Sequence, residues 1–77
     1  DNMEVYFDNK AMLTNTRNEM VAEAEIDNFK EEIQFDAYLA NNKIRMHWKG
    51  RVYVGNAHGM EFTSPGPIAH KVNKGRR

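Results

Sequence analysis

Thr16-Arg17-Asn18-Glu19-Met20-Val21-Ala22-Glu23-Ala24-Glu25-Ile26-Asp27-Asn28-Phe29-Lys30-Glu31 is the stretch on which the fold turns. Two periods compete in it. Ala22, Ile26, Phe29 and, just beyond, Ile33 recur at the spacing of one helix face, whereas Met20, Ala22, Ala24 and Ile26 alternate with Val21, Glu23 and Glu25 in the manner of a half-buried strand. Two signals tip the balance. Thr16 and Glu19 stand at the spacing of a capping box, a hydroxyl at the cap and a carboxylate three residues on. The residues behind them are rich in Ala, Glu and Met, which favour helix intrinsically. The stretch therefore predicts a helix from Arg17 to Glu31, with a strand over Met20 to Ile26 as the alternative.

Downstream, Ile33 to Thr63 reads as antiparallel strands. Ile33, Phe35, Ala37 and Leu39 alternate with Gln34, Asp36 and Tyr38, and Asn41-Asn42 offers residues that tolerate the positive φ of a two-residue hairpin turn. Folding there sets Leu39 opposite Ile44, Ala37 opposite Met46 and Phe35 opposite Trp48, all apolar and on one face. A second turn at Lys49-Gly50-Arg51 sets Val52 opposite Trp48 and Val54 opposite Met46, leaving Arg51 and Tyr53 on the polar side. Gly55 to Gly59 is a further turn, Met60 and Phe62 begin a fourth strand, and Pro65-Gly66-Pro67 stops it. Upstream, Met3, Val5 and Phe7 alternate with Glu4 and Tyr6, Asp8-Asn9-Lys10 resembles a turn, and Ala11 to Leu13 completes a short hairpin. The expected fold is α+β: a short N-terminal hairpin, one helix, and a four-stranded antiparallel meander with the helix on its apolar face. The alternative is an all-β small barrel. Residues 1–70 form one small domain in this reading, and 71–77 a basic flexible tail.

The chain has 77 residues and no cysteine, so neither disulfides nor thiolate metal sites reinforce so small a core. Self-association is the obvious way to bury more surface. No apolar run is long enough to span a bilayer and no signal-peptide pattern is present, so a cytoplasmic, membrane-free setting is expected. The net charge of zero conceals a split. Residues 1–42 carry ten acidic groups against three basic, and residues 43–77 eight basic against one acidic, so the halves stand at −7 and +7. Such asymmetry points outward, to a partner.

Catalytic and metal signals are weak. His47, His58 and His70 lie in different elements without ligand spacing. Glu23, Glu25, Glu31, Glu32 and Asp36 are what a solvated acidic face requires, the glycines sit at turns, and Ser64 lacks a nucleophile-elbow pattern. A non-enzymatic protein without cofactor or metal is expected. Two binding surfaces compete. In the expected register Tyr38, Arg45, His47, Lys49, Arg51 and Tyr53 share an exposed basic and aromatic sheet face suited to phosphates and unpaired bases, extended by Lys71 and Lys74 of the tail. This makes nucleic acid the first expected partner. The other surface is the acidic segment, where Glu19, Glu23, Glu31 and Glu32 suit a protein partner, as in an adaptor or a nucleic-acid-mimicking inhibitor, with or without homo-oligomerisation. One continuous basic face would favour the first; interleaved charge would favour the second.

Overall fold

The computed structural model describes residues 3–73, which contain no helix. The chain is all-β, and the expected α+β arrangement is overturned. Seven strands follow one another: β1 (Met3–Asn15), β2 (Val21–Lys30), β3 (Gln34–Leu39), β4 (Asn42–Trp48), β5 (Tyr53–Ala57), β6 (Met60–Ser64) and β7 (Pro67–Asn73). Each pairs antiparallel with its neighbour in the order β2-β3-β4-β5-β6-β1-β7, and a further β1–β2 pairing closes the first six into a barrel.

The stretch expected to be helical is strand β2. Its period-two pattern prevails because both edges find partners: Lys10 to Thr14 of β1 on one side, Gln34 to Tyr38 of β3 on the other. Ala24 and Ile26 then enter the core while Glu23 and Glu25 face out. The intrinsic preference of Ala and Glu for helix amounts to tenths of a kcal/mol per residue, and burial on two sides outweighs it. Thr16 caps nothing; its N–H donates to Glu61 O at 3.0 Å. Asn15 and Asn18 shape the loop instead, their side-chain oxygens accepting from the N–H groups of Arg17 and Met20 at 2.9 Å each.

The expected N-terminal hairpin is likewise replaced. Met3–Asn15 is one strand, with an irregularity between Phe7 and Ala11 where the turn at Asp8-Asn9-Lys10 was expected. Pro67 does not end the sheet: β7 starts there, so that Lys71–Asn73, the described part of the expected tail, is strand paired with Met3–Val5. Together β6 and β7 run as one interrupted partner along β1, meeting it at Asn15↔Phe62 above and Met3↔Asn73 below. The Pro65-Gly66 step between them is tied by Gly66 N–H donating to the buried Ser64 Oγ at 3.0 Å.

The core is Ala11, Leu13, Ala24, Ile26, Phe35, Ala37, Ile44, Met46, Tyr53 and Phe62. The β3–β4 hairpin turns at Ala40-Asn41, both at positive φ (48° and 68°), and pairs Leu39 with Asn42, Ala37 with Ile44 and Phe35 with Met46. This register differs from the expected one by two residues, so the inward face is unchanged. The next hairpin differs by one: Trp48 pairs with Tyr53 and His47 with Val54. An odd shift exchanges the faces, so Tyr53 points into the core and Val54 does not.

Below the barrel, Met3–Phe7 and Ala69–Asn73 continue as a two-stranded arm. It accounts for the elongated 51 × 25 × 21 Å envelope.

Candidate functional site

Because the chain meanders, its turns cluster at two ends. The end carrying Thr16–Met20, Ala40-Asn41 and His58-Gly59 is closed by polar contacts such as His58 Nε2 to Asn42 Oδ1 at 2.8 Å. At the other end the Glu31–Ile33 turn, the Lys49–Val52 loop and the Pro65-Gly66 step surround a half-open pocket of about 160 Å³, lined by Phe7, Phe29, Glu31, Glu32, Trp48, Tyr53, Pro65 and Pro67.

Irregular backbone places these side chains. The β2–β3 register shifts between Asp27 and Lys30, and Asn28 there adopts a positive φ of 54°. The resulting bulge turns Phe29 towards the pocket, where its ring lies 4.8 Å from that of Phe7 and 6.3 Å from Tyr53. Tyr53 packs edge-on against Phe35 at 4.9 Å, and Trp48 lies against Tyr53 at 4.9 Å. The tyrosine hydroxyl accepts from Glu32 N–H at 2.7 Å, which fixes the acidic turn to the aromatic wall. Glu32 holds a φ of 57°, a left-handed conformation that costs a residue with a Cβ about 1–2 kcal/mol. Ile33 O accepts from Trp48 N–H at 2.9 Å and joins the turn to β4. Both glutamates are exposed, and among the described residues neither takes part in an ion pair.

Of the residues expected to bind nucleic acid, Tyr38, Arg45 and His47 share the outer face of β3 and β4 with Lys49 and Arg51 on the loop beyond, whereas Tyr53 and Lys71 lie elsewhere. Tyr53 is core, at 3% exposure, where it forms part of the pocket wall and accepts from Glu32 N–H through its hydroxyl. Arg45 lies on the outer face of β4, but its Nε donates to Asp36 Oδ1. Asp36 is wholly buried beneath Arg45, Asn28 (Nδ2 to Oδ2, 3.0 Å) and Lys43 (Nζ to Oδ2, 3.8 Å). Burial pushes the Asp36 carboxyl up, but the hydrogen bonds from Arg45 and Asn28 and the charges of Arg45 and Lys43 outweigh it and hold it below its ordinary value. The same carboxylate raises the Arg45 guanidinium. Tyr38 is exposed on β3, its hydroxyl 3.3 Å from Asp27 Oδ1; desolvation and the Asp27 charge raise it. His47 is exposed on the outer face of β4, Lys49 and Arg51 on the loop beyond it, and Lys71 on the arm. Lys74 lies outside the described residues.

Across the outer surface of β2, β3 and β4 the register sets Glu25, Tyr38 and Lys43 in one row and Asp27, Asp36 and Arg45 in the next. An acidic stripe thus lies two strands, about 10 Å, from a basic one. Of the acidic residues expected to meet a protein, Glu31 and Glu32 come together at the pocket. Glu19 lies at the opposite end, and Glu23 flanks a second hollow of about 200 Å³ between β1, β2 and the start of β7. Phe7, Phe29, Trp48 and the two prolines were not foreseen as site residues; the local signals of a bulge at Asn28 and an Ser64-Pro65-Gly66-Pro67 step are the only hints in the chain. Among the described residues no three His, Asp or Glu side chains converge where a metal could sit.

No protein family, curated protein or solved structure compared with the chain matches it.

Proposed function

We infer that this chain is a non-enzymatic binding module that takes a positively charged side chain of a partner protein into the aromatic, acidic mouth of its barrel. One observation carries the reading: Glu31 and Glu32, two carboxylates without an ion pair among the described residues, stand beside a half-open pocket walled by Phe7, Phe29, Trp48 and Tyr53. Aromatic faces attract a Lys or Arg head group by about 0.5–2 kcal/mol, more as water is excluded, and rim carboxylates add attraction and orientation. A volume of about 160 Å³ suits one side-chain head; sites for drug-sized molecules ordinarily measure about 300–1,000 Å³. The left-handed Glu32 adds weight, since backbone strain persists where the surroundings demand it and clusters at binding sites.

Nucleic acid is less well supported as the partner. Of its stacking residues Tyr53 is in the core while Tyr38 and His47 stay exposed, Arg45 is committed to Asp36, and the basic stripe has an acidic one for a neighbour. Interleaved charge is the pattern that favours a protein partner.

The single tryptophan, Trp48, sits in the pocket and reports its occupancy. Titration with short peptides containing Arg, Lys or trimethyl-lysine should shift its fluorescence, with affinity falling as salt rises. Glu31→Gln and Glu32→Gln should each weaken binding about two- to fivefold, the usual worth of an exposed charge pair. Glu32→Gly should weaken it equally while leaving stability equal or higher, because the strain is relieved. No fluorescence response to any basic peptide at millimolar concentration, or tighter binding of single-stranded oligonucleotides, would overturn the reading.

A further inference from the structure

We propose that two copies of this chain associate by pairing their arms edge to edge through β7. The arm is a two-stranded ribbon, and such a ribbon alone is marginal in water; three or more strands are needed for independent stability. Among the described residues Ala69–Val72 pairs with β1 alone, so the outer edge of this segment offers N–H and C=O groups to a further strand. Edges of this kind are usually blunted by lysines, prolines or bulges, and between Ile68 and Asn73 Lys71 is the one such residue. Apolar side chains are exposed on both faces of the arm: Met3 and Val5 on one, Tyr6, Ile68 and Val72 on the other, with Ile68 at 65%. No part of the chain's own barrel covers them.

The occupant is argued from three features. Strand β7 is complementary to itself. Antiparallel pairing about a twofold axis at His70 sets Ile68 against Val72 of the second copy and Lys71 against Ala69, so apolar groups meet and the lysines do not. Four strands then form a continuous ribbon, with Tyr6 stacked on His70 (ring centroids 5.1 Å apart) in its central row. The exposed area is also large. A compact chain of 9.0 kDa exposes about 4,900 Å², whereas this one exposes 5465 Å². The exposed Met3, Val5, Tyr6, Ile68 and Val72 of the arm contribute to that excess of roughly 600 Å². Finally, the radius of gyration, 14.1 Å, exceeds the roughly 11.5 Å of a compact chain of this length, as expected of a molecule that projects a segment meant for another.

The chain lacks cysteine, which makes the register directly testable. His70→Cys brings two thiols directly opposite across the axis, at the roughly 4.5–5.5 Å Cα separation of a facing antiparallel pair, within reach of a disulfide. Ile68→Cys leaves its two copies roughly 13 Å apart, beyond reach. Under mild oxidation the His70→Cys protein should form a covalent dimer and the Ile68→Cys protein should not. In sedimentation equilibrium the unmodified protein should dimerise with concentration. Ile68→Lys with Val72→Lys should weaken the dimer about tenfold or more, and Ile68→Glu with Val72→Lys should restore it by pairing opposite charges. Both double variants change exposed positions, so an unaltered Trp48 spectrum and thermal transition will show that the barrel is intact. A monomer at near-millimolar concentration, equal cross-linking of both cysteine variants, or a dimer indifferent to the lysines would overturn the proposal.

Discussion

Asp36 is an outward-facing residue of β3 that is nonetheless inaccessible to solvent. Its strand position points it away from Phe35 and Ala37, and the side chains of Arg45, Asn28 and Lys43 close over it. The carboxylate thus joins β2, β3 and β4 on the outside of the barrel as Ile26, Ala37 and Ile44 do on the inside. Because its folded-state titration lies below the ordinary 3.8, the sign of its pH effect follows. The stabilisation is fully present above that value and is lost as pH falls through the lower folded value. Asp36→Asn should cost about 1.5–3 kcal/mol at neutral pH, the range for hydrogen bonds to a charged group. That cost should shrink towards zero in strong acid. Urea unfolding of the two proteins from neutral pH to about pH 2 would check this; a difference that stays constant with pH would place the effect of Asp36 in packing and not in charge. Ala40 allows a second measurement on a single residue. It holds a φ of 48° in the two-residue turn, without the side-chain hydrogen bonding that lets Asn tolerate this region. Ala40→Asn should raise stability by about 0.5–1 kcal/mol, read from the midpoint of thermal unfolding.

At the scale of elements, β5 depends on an absent side chain. A Cβ on Gly55 would stand 2.5 Å from Arg45 O and 2.6 Å from Met46 Sδ, closer than real contacts allow. Gly55→Ala should therefore force β4 and β5 apart and cost about 1–3 kcal/mol, an overpacking penalty visible in the denaturation midpoint. A neutral substitution would mean that the pair has room the structure does not record. The same two strands mark the limit of what the amino-acid order reveals. Alternation of Phe35 and Ala37 with Asp36 and Tyr38 was sufficient for the inward face of the β3–β4 hairpin, and it survived a turn placed one residue late because the register shift was even. The β4–β5 loop contains four residues, Lys49–Val52, where three were expected. The shift there was odd, and Tyr53 moved from a surface platform to the core. For β2 the alternating pattern was present but local composition opposed it, and only the neighbours β1 and β3, distant in sequence, decided the matter. The mouth was half legible. Glu31 and Glu32 stand out as unbalanced charge, but Phe7, Phe29, Trp48 and Tyr53 come from four strands, and Phe29 turns inward only because of the bulge at Asn28.

The whole molecule combines a closed barrel and an open ribbon, and the two should differ in stability although one strand, β1, runs through both. In the barrel β3 is paired on both sides and contributes the fully buried Phe35 and Ala37. In the arm each strand pairs with one other strand among the described residues, and Met3, Val5 and Ile68 are exposed. Phe7 is the hinge between the regimes, since its ring still reaches Phe29 at 4.8 Å. Segments with few buried apolar contacts open locally at a small fraction of the global free energy. Amides of Phe35 to Tyr38 should therefore exchange with solvent only on global unfolding, those of Met3 to Val5 and Lys71 to Asn73 orders of magnitude faster, and Phe7 in between. Hydrogen exchange read by mass spectrometry at low protein concentration tests this gradient, because the arm is then on its own. Arm amides as slow as those of β3 under these conditions would mean that ribbon and barrel unfold as one unit. The continuity of β1 would then transmit barrel stability down its length, and the arm would be a rigid projection and not a segment that becomes ordered against its partner.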